Sequence, residues 1–271
     1  MSWPKGAENS VMPSETAEII TKPRSQELPN LRGPAGPPIP IALYSFTDKT
    51  GQRKPNDKFS TFSSAVTQGS EVFLIKALQD AGKGKWFKVV ERVGLDDLIK
   101  ERQLIRNQRE TYEGKDAKQL SPMLVAGIML QGGIIGYDSD VGSGGMGARF
   151  LGIGANQQYR TDEVSVIIRL VSVHTGEVLL SSGASKTVYS VGTNATVMKF
   201  IDAGTHALEM EAGGNINEPT TYAVRIAIEA AVVDMIKQGI EKKLWQYAPL
   251  TEEEIAKQAS RKNTASTSQG K

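Results

Sequence analysis

Hydrophobic and polar positions follow several different periods along the chain, and each period predicts one kind of element. Residues 39–43 alternate as a strand does, and this strand should end at the turn-forming cluster of residues 47–51. Helical spacing is found in three later runs: residues 71–82, 95–107 and 221–245. The last run is the longest helical pattern in the sequence.

Short apolar runs between these helices predict the strands of a sheet. They are residues 86–90, 128–137, 164–170 and 178–180. The turn His174-Thr175-Gly176 should join the last two strands, and a short helix after Pro122 should lead into the strand at 128. The predicted order is strand, helix, strand, helix, strand, strand, strand, helix, which indicates a small α+β domain.

Both ends of the chain differ from this middle region. Eight of the twelve prolines fall in the first 40 residues, so residues 1–38 are predicted to form an extended strap that cannot fold alone. From residue 249 onwards the sequence is polar. Residues 249–271 are therefore predicted to be a disordered tail.

A glycine-rich segment, residues 138–158, has two competing interpretations. A G-x-G-x-x-G motif starts at Gly142, and Asp162 lies about twenty residues further on, as in a dinucleotide-binding fingerprint. A fingerprint loop must open a helix that holds the pyrophosphate, yet glycines and an asparagine interrupt residues 152–156. The sequence therefore favours the second interpretation, a β-hairpin of small and weakly polar residues.

Residues 187–214 have a similar texture, so both segments are predicted to be long inserted hairpins. Apolar residues recur at alternate positions in each, as the lipid-facing side of a membrane barrel requires. The predicted lipid-facing residues are Met146, Phe150, Tyr189, Val191 and Val197. Lys199 falls on the same side and is expected near a membrane edge, where its amine can reach water. Periodicity alone leaves open a soluble protein with two long hairpins.

Composition and charge disfavour several classes of function. The net charge is +2, from 32 basic and 30 acidic residues, and no basic run is interleaved with aromatic residues, so we expect no nucleic-acid partner. There is no cysteine, and neither His174 nor His206 has companion ligands in the sequence. We therefore expect no metal site, no cofactor and no thiol- or histidine-based catalysis. No apolar run reaches the roughly 18 residues that predict a transmembrane helix.

Short motifs spaced along residues 38–247 carry a resemblance to a known family. They are Thr50-Gly51-Gln52 with Lys54-Pro55, Phe62-Ser63 with Ala65-Val66-x-Gln68, Ile134-Ile135-Gly136-Tyr137, Ser143-Gly144-Gly145-x-Gly147-Ala148-Arg149 with Gly152-Ile153-Gly154-Ala155, Ser185-Lys186-Thr187, Phe200-Ile201-Asp202 and Asn217-Glu218-Pro219. With these motifs in this order, the chain resembles the CsgG family of outer-membrane lipoprotein channels that secrete curli amyloid subunits.

The resemblance implies an α+β periplasmic domain with two inserted β-hairpins that form an oligomeric transmembrane β-barrel. Roughly nine protomers would each lend four strands, about 36 in all, a number that comes from the family and not from this chain. The implied function is an outer-membrane secretion pore for unfolded curli-type amyloid subunits, aided by periplasmic and surface accessory factors. The globular domain would lie on the periplasmic side of the bacterial outer membrane. Because no P-loop or paired catalytic groups are present, we expect passive diffusion and no enzyme activity.

The resemblance also assigns a role to the loop of residues 52–64, which in the family projects into the channel and forms its narrowest ring. Phe62 matches the family's constriction phenylalanine. Thr61 and Asn56 stand where that ring usually has an asparagine and a tyrosine. The loop is slightly longer here, so Phe59 competes with Phe62 for the narrow position. A surface loop with one buried phenylalanine is the alternative.

Other family features are matched or missing at single positions. Glu209 and Glu211 match lumen-facing glutamates, whereas a third acidic position is Gly192 here. Family members carry an acylated N-terminal cysteine, which is absent, so we expect that an export signal and a lipidated cysteine have been removed. Two rival hypotheses stay open: a soluble periplasmic oligomer that binds partners through its hairpins, and a nucleotide-binding enzyme.

The predicted organisation follows from these assignments. It comprises the strap (1–38), a periplasmic α+β domain (39–140, with constriction loop 52–64), transmembrane hairpin 1 (141–162), further periplasmic strands (163–186), transmembrane hairpin 2 (187–214), a C-terminal helix region (215–248) and the tail (249–271).

Overall fold

A mixed six-stranded sheet organises the computed structural model, which describes residues 23–51, 67, 69–114, 117–143, 158–193, 197–201 and 219–251. In chain order the elements are α1 (Glu27–Asn30), β1 (Ile39–Asp48), α2 (Ser70–Asp80), β2 (Phe87–Glu91), α3 (Leu95–Glu113), β3 (Ile128–Ser143), β4 (Gln158–Ser172), β5 (Val178–Thr193), β6 (Val197–Ile201) and α4 (Pro219–Glu241). The predicted α+β class is confirmed, as is the succession of strands and helices from β1 to β5 with α4 at the end.

The sheet has a parallel half and an antiparallel half, in the order β2-β1-β3-β4-β5-β6. β1 pairs in parallel with β2 on one side and with β3 on the other. The strands from β3 to β6 pair in antiparallel fashion. Residues 144–157 thus connect antiparallel neighbours, whereas a dinucleotide fingerprint needs a helix between parallel strands. This topology argues against nucleotide binding at Gly142.

The hydrophobic core lies between one face of the sheet and the helices α2 and α4. Along β4 the even-numbered residues from Val164 to Leu170 are buried, while Glu163 and Arg169 are exposed on the other face. α4 packs against β4, β5 and α2. Its buried residues include Ala223, Val224, Ala227, Ile228, Ala231, Val232, Met235 and Ile236. Each large apolar side chain buried in this way contributes about 1.5–3 kcal/mol to folding.

Three details of the predicted elements are wrong. The short helix expected after Pro122 is absent, because residues 117–126 are extended and arginine side chains bind their carbonyl groups. α3 runs to Glu113, beyond the predicted end at 107, and none of its residues is buried, so its expected apolar face covers nothing in the described chain. The strap is not extended throughout, since the Ser25 hydroxyl accepts the N–H groups of Glu27 and Leu28 and starts the short α1.

The strap is held against residues 246–248 beside the core. Ala35 N–H donates to the Gln246 carbonyl at 2.8 Å, and Ala248 N–H donates to the Gly33 carbonyl at 2.8 Å. Tyr247 stacks edge-on against Trp86, with ring centroids 5.7 Å apart. Trp86, Phe87, Trp245 and Tyr247 form the aromatic cluster of this region. The strap therefore completes the core at one edge of the sheet instead of acting as a loose linker.

Candidate functional site

The loop of residues 52–64 follows the end of β1, where a capped turn forms its first anchor. The backbone N–H and the hydroxyl of Thr50 donate to Asp48 Oδ1 at 2.9 Å and 2.7 Å. Lys49 N–H donates to the Ile134 carbonyl at 2.9 Å and ties the turn to β3. Gly51 has a φ of 67°, which glycine adopts without steric cost. The direction in which the chain enters the loop is therefore fixed.

The second anchor lies at the start of α2. The Ser70 hydroxyl donates to the Phe46 carbonyl at 3.1 Å, and both residues are buried. Because a buried hydroxyl without a partner would be costly, this bond both stabilises the helix start and holds it against β1. The segment between Gly51 and Ser70 thus begins and ends beside the same strand end.

The antiparallel strands continue past this point. β1 makes its last pair with β3 between Asp48 and Ile134. β3 continues beyond this point to Ser143, and its described partner there is β4. β4 and β5 remain paired as far as Gln158 and Gly192. β6 pairs only with the distal part of β5. We name the part of the sheet beyond Ile134 the strand extension; it leaves the core at the end where the loop begins.

A buried polar pair marks the base of the strand extension. The Tyr137 hydroxyl donates to Asp162 Oδ1 at 2.8 Å, with Tyr137 5% and Asp162 0% exposed. Asp138 and Glu163, the next cross-strand pair, are exposed and directly opposite each other in the ladder. Like charges in opposite positions destabilise a strand pair, so this acidic pair is not there for folding stability.

The backbone register of β5 and β6 bears on the predicted lipid-facing set. Val191 pairs with Lys199, and Val197 pairs with Thr193. Because opposite partners and alternate positions belong to one face of a ladder, positions 191, 197 and 199 share one face of the backbone ladder, and its orientation towards lipid stays a prediction. Tyr189 belongs to the same series and is half-buried.

Most of the predicted site residues lie outside the described residues. They are Asn56, Phe59, Thr61 and Phe62 of the loop, Met146 and Phe150 of hairpin 1, and Glu209, Glu211 and His206 further along the chain. The structure places the anchors of the loop and the strands that lead into hairpin 1. Their roles stay predictions.

A buried ion pair in α4 was not predicted from the sequence. Glu229 Oε1 lies 3.2 Å from Arg225 Nε, and the two side chains are 4% and 10% exposed. Glu229 also accepts the backbone N–H groups of Arg24 at 3.2 Å and Ser25 at 2.6 Å. The sequence did contain one sign of this ion pair, since Arg225 and Glu229 are oppositely charged and lie four residues apart in an otherwise apolar helix. Its partners in the strap lie about 200 residues away in sequence and left no local trace.

A second contact between the strap and α4 is exposed. Lys237 Nζ lies 2.5 Å from Glu27 Oε1, with the two side chains 50% and 56% exposed. The hydrogen bond to the Glu27 carboxylate raises the pKa of Lys237 above its usual 10.5, partly offset by desolvation. This pair joins α1 to α4 at the protein surface, whereas the ion pair at Glu229 is buried.

Other candidate chemistry is absent from the described part of the chain. His174 is exposed in the turn between β4 and β5, as predicted, and Gly176 closes that turn with a φ of 73°. Among the residues described, no three His, Cys, Asp or Glu side chains gather as metal ligands. None of the described helices is long and apolar enough to cross a membrane.

Comparison with known proteins identifies close relatives. The family model "Curli production assembly/transport component CsgG" matches residues 24–267. The component of that name from Escherichia coli K12 is 42% identical over 238 residues, which cover 86% of this chain and 84% of the relative. The Salmonella typhimurium LT2 protein is 41% identical and the Citrobacter koseri protein 42% identical, with the same coverage.

A solved structure gives much weaker similarity. A Xanthomonas campestris protein aligns with a TM-score of 0.30 and 12% identity over 79% of this chain and 91% of its own, too little to carry an argument. The sequence relatives suffice without it, because the family model covers most of the chain and the identity holds over nearly its whole length. The chain therefore belongs to the CsgG family of curli production assembly/transport components.

Proposed function

We propose that the chain is one protomer of an outer-membrane pore through which unfolded curli-type amyloid subunits are secreted. The observation that carries this proposal is that the turn Asp48–Gly51, after which the loop of residues 52–64 begins, and the strand extension lie at the same end of the sheet. A ring of such protomers would place the loops together at the base of a barrel built from the extensions. The relatives are curli production assembly/transport components, and this supports curli subunits as the class of cargo.

Within this proposal the loop forms the narrowest part of the channel. Phe62 supplies the main apolar collar, with Phe59 close behind it, and Thr61 and Asn56 add polar groups to the rim. An unfolded chain can pass a ring that is too narrow for a folded domain. Apolar rings also contact polar peptide segments weakly, so the passing chain is not trapped. The two anchors at Asp48 and Ser70 support this role, because a constriction requires loops whose ends do not move.

The wall of the channel is assigned to the two hairpins, residues 141–162 and 187–214. We assign Met146, Phe150, Tyr189, Val191 and Val197 to the lipid-facing side and Glu209 and Glu211 to the lumen. Long strands that continue without a break from the core, such as β3 and β5 with 16 residues each, support this assignment. A strand of about 9–11 residues spans a bilayer, so each has residues to spare for the periplasmic sheet.

Transport in this proposal is passive. The chain carries no P-loop, so the gradient of unfolded subunits and the factors that confine them supply the driving force. The partners are further copies of this chain, roughly nine per ring by analogy with the family, the secreted subunit, and accessory factors on both sides of the membrane. The globular domain lies on the periplasmic side of the bacterial outer membrane.

A planar bilayer experiment tests the pore directly. Purified oligomers should give large and stable conductance steps that do not depend on added nucleotide. An oligomeric preparation that gives no steps would refute the pore and favour a soluble periplasmic assembly protein. If nucleotide bound with measurable affinity, the enzyme hypothesis would return.

Single substitutions then locate the constriction. Phe62→Ala removes the largest apolar side chain from the proposed collar, so the conductance of each step should rise. Phe59→Ala is the matched control, because it makes the same chemical change in the same loop and should have a smaller effect. If Phe59→Ala instead raises the conductance more than Phe62→Ala, the narrow position belongs to Phe59. If neither variant changes it, the loop does not form the constriction.

A further inference from the structure

α3 and the segment of residues 117–124 form an arm that is braced within itself. Arg109 Nη1 donates to the Lys118 carbonyl at 2.6 Å, and Arg102 Nη2 donates to the Ser121 carbonyl at 2.7 Å. At the base of the arm, Arg92 Nη2 donates to the Leu124 carbonyl at 3.1 Å. These three bonds hold the extended segment antiparallel to the helix. The arm therefore has a defined shape without help from the core.

Among the described residues, the arm packs little against the rest of the fold. None of the main contacts between described helices and strands involves α3, and no residue of α3 is buried. Leu104 and Tyr112 are 52% and 81% exposed, and Val125 at the base is 78% exposed. A 19-residue helix gains most of its stability from a packed apolar face, and this one has no such partner in the described chain. The exposed apolar residues of the arm therefore make it a candidate binding surface.

A groove of about 500 Å³ runs between the helix and the extended segment. Its apolar lining includes Ile99, Leu120 and Met123. Among the described residues, its charged lining consists of Arg102, Arg106, Arg109 and Lys118, with Glu110 as the acidic member. A guanidinium carries five N–H donors in a planar fork, so the single carbonyl bonds made by Arg102 and Arg109 leave donors that can bind a carboxylate. The groove is suited to an acidic peptide segment that also carries an apolar side chain.

The chain itself contains such a segment. Thr251 is followed by Glu252, Glu253 and Glu254, and then by Ile255. Three consecutive carboxylates beside one isoleucine complement the basic rim and the apolar lining of the groove. This charge complementarity selects the start of the C-terminal tail as the occupant.

The described part of the tail lies away from the groove of its own chain. Tyr247, near the start of the tail, is fixed beside Trp86, which precedes β2. The arm starts at Arg92, which follows β2. The five residues of β2, Phe87–Glu91, separate these points by roughly 16 Å at about 3.3 Å per residue. In addition, no residue of the C-terminal segment up to Thr251 lines the groove.

We propose that the groove on the arm binds the segment Glu252–Ile255 of a neighbouring copy and so links adjacent protomers. The inference rests on the proposed oligomeric pore, to which it adds the surface and the segment that join two copies. Each protomer offers both a groove and a tail, so the contact is head-to-tail, which is the kind that closes a ring.

Disulfide cross-linking tests the contact in the full chain, which contains no cysteine of its own. Gln103→Cys, which lines the groove, is combined with Ile255→Cys, and the oligomer is oxidised and run on a denaturing gel. A ladder of covalently linked copies is expected. Gln108→Cys with Ile255→Cys is the matched control, because Gln108 is an exposed glutamine of the same helix that does not line the groove. A ladder of equal strength from the control pair would overturn the assignment.

Two other results would also overturn the inference. A bond formed only within single copies would mean that the groove takes its own tail, and the lack of any bond would mean that the groove takes neither. Ring formation by the reduced protein and the conductance of the unmodified chain are measured in parallel. Rings that conduct but do not cross-link refute this inference alone, whereas a failure to form rings or pores refutes the proposed function.

Charge exchange gives a second test if the cysteine variants fold poorly. Arg106→Glu should weaken the contact, so that oligomers dissociate at a salt concentration where the unmodified protein stays assembled. Adding Glu253→Arg should restore assembly, since the exchanged charges attract again. Lys100→Glu, a charge reversal on the same helix outside the groove, should leave assembly unchanged. If Arg106→Glu has no effect, or if Glu253→Arg fails to restore assembly, the pairing is wrong.

Discussion

Replacement of Glu229 by glutamine should loosen the N-terminal strap without disturbing the sheet. The Glu229 carboxylate accepts two strap amides, from Arg24 and Ser25, and faces the Arg225 guanidinium in a site where both side chains are at least nine-tenths buried. Glutamine has nearly the same shape but only one acceptor oxygen. At least one of the two strap amides therefore loses its acceptor, and the remaining bond is no longer assisted by charge.

The size of the effect follows from these contacts. A hydrogen bond to a charged group contributes about 1.5–3 kcal/mol, and about 1.4 kcal/mol corresponds to a factor of ten in an equilibrium constant. Local opening of the strap should thus become roughly 10- to 150-fold more frequent in Glu229→Gln. Glu229→Ala should cost more, about 3–5 kcal/mol of folding stability, because it removes the buried carboxylate that pairs with the Arg225 guanidinium.

Hydrogen–deuterium exchange measures this opening directly. Peptides spanning residues 23–28 should exchange faster in Glu229→Gln by the factor given above, while peptides from β3 and β4 keep their rates. Glu241→Gln is the control, since it makes the same change at an exposed position of α4. Unchanged exchange at residues 23–28 in Glu229→Gln would show that the strap is held by its other contacts and that the reasoning is wrong.

Three further predictions follow from single contacts. Gly239→Ala should lower the thermal midpoint, because its Cβ would lie 2.1 Å from the Trp245 ring and repacking costs on the order of 1–3 kcal/mol; an unchanged midpoint contradicts this. Asp138→Thr should raise the midpoint slightly, by roughly 0.2–1 kcal/mol of stability, since it removes like-charge repulsion with Glu163; a fall would give Asp138 a stabilising role. The Lys237–Glu27 contact should stabilise α1 fully below pH 10.5 and be lost as the pH rises through the raised pKa of Lys237. Because the pair is half exposed, its contribution is at most about 1 kcal/mol, and Lys237→Met should abolish this pH dependence of proteolysis near α1.

The fold class and most elements were predictable because the signals that specify them are local. Alternation along β4 and the long apolar run of α4 have periods that a single sequence displays. The absence of a helix after Pro122 was not predictable, because it depends on Arg92 and Arg102, whose guanidinium groups reach carbonyl groups of the later segment. Hydrogen bonds between residues far apart in sequence therefore determine the conformation of this segment.

The candidate site shows the same division between local and distant signals. The turn at Asp48–Gly51 was expected from its residue types, and the structure adds its tie to β3 through Lys49. By contrast, the sequence around Gly239 does not predict that the Trp245 ring packs against Gly239. The lipid-facing assignment came from the alternation of apolar residues and the constriction assignment from family resemblance, and both stay predictions.

The anchoring of the loop has a consequence for how such a protein can vary. Among the described residues, three bonds between residues outside the loop hold its ends: Thr50 with Asp48, Lys49 with Ile134, and Ser70 with Phe46. Because none of these three bonds uses a residue of the loop, we expect them to survive substitutions between residues 52 and 64. The loop should therefore tolerate departures from the family pattern such as those predicted at Asn56 and Thr61. If the proposed pore is correct, replacement of the buried Ser70 by alanine should change its single-pore conductance, because the loss of the bond to the Phe46 carbonyl releases the second anchor of the loop; an unchanged conductance would contradict this reasoning.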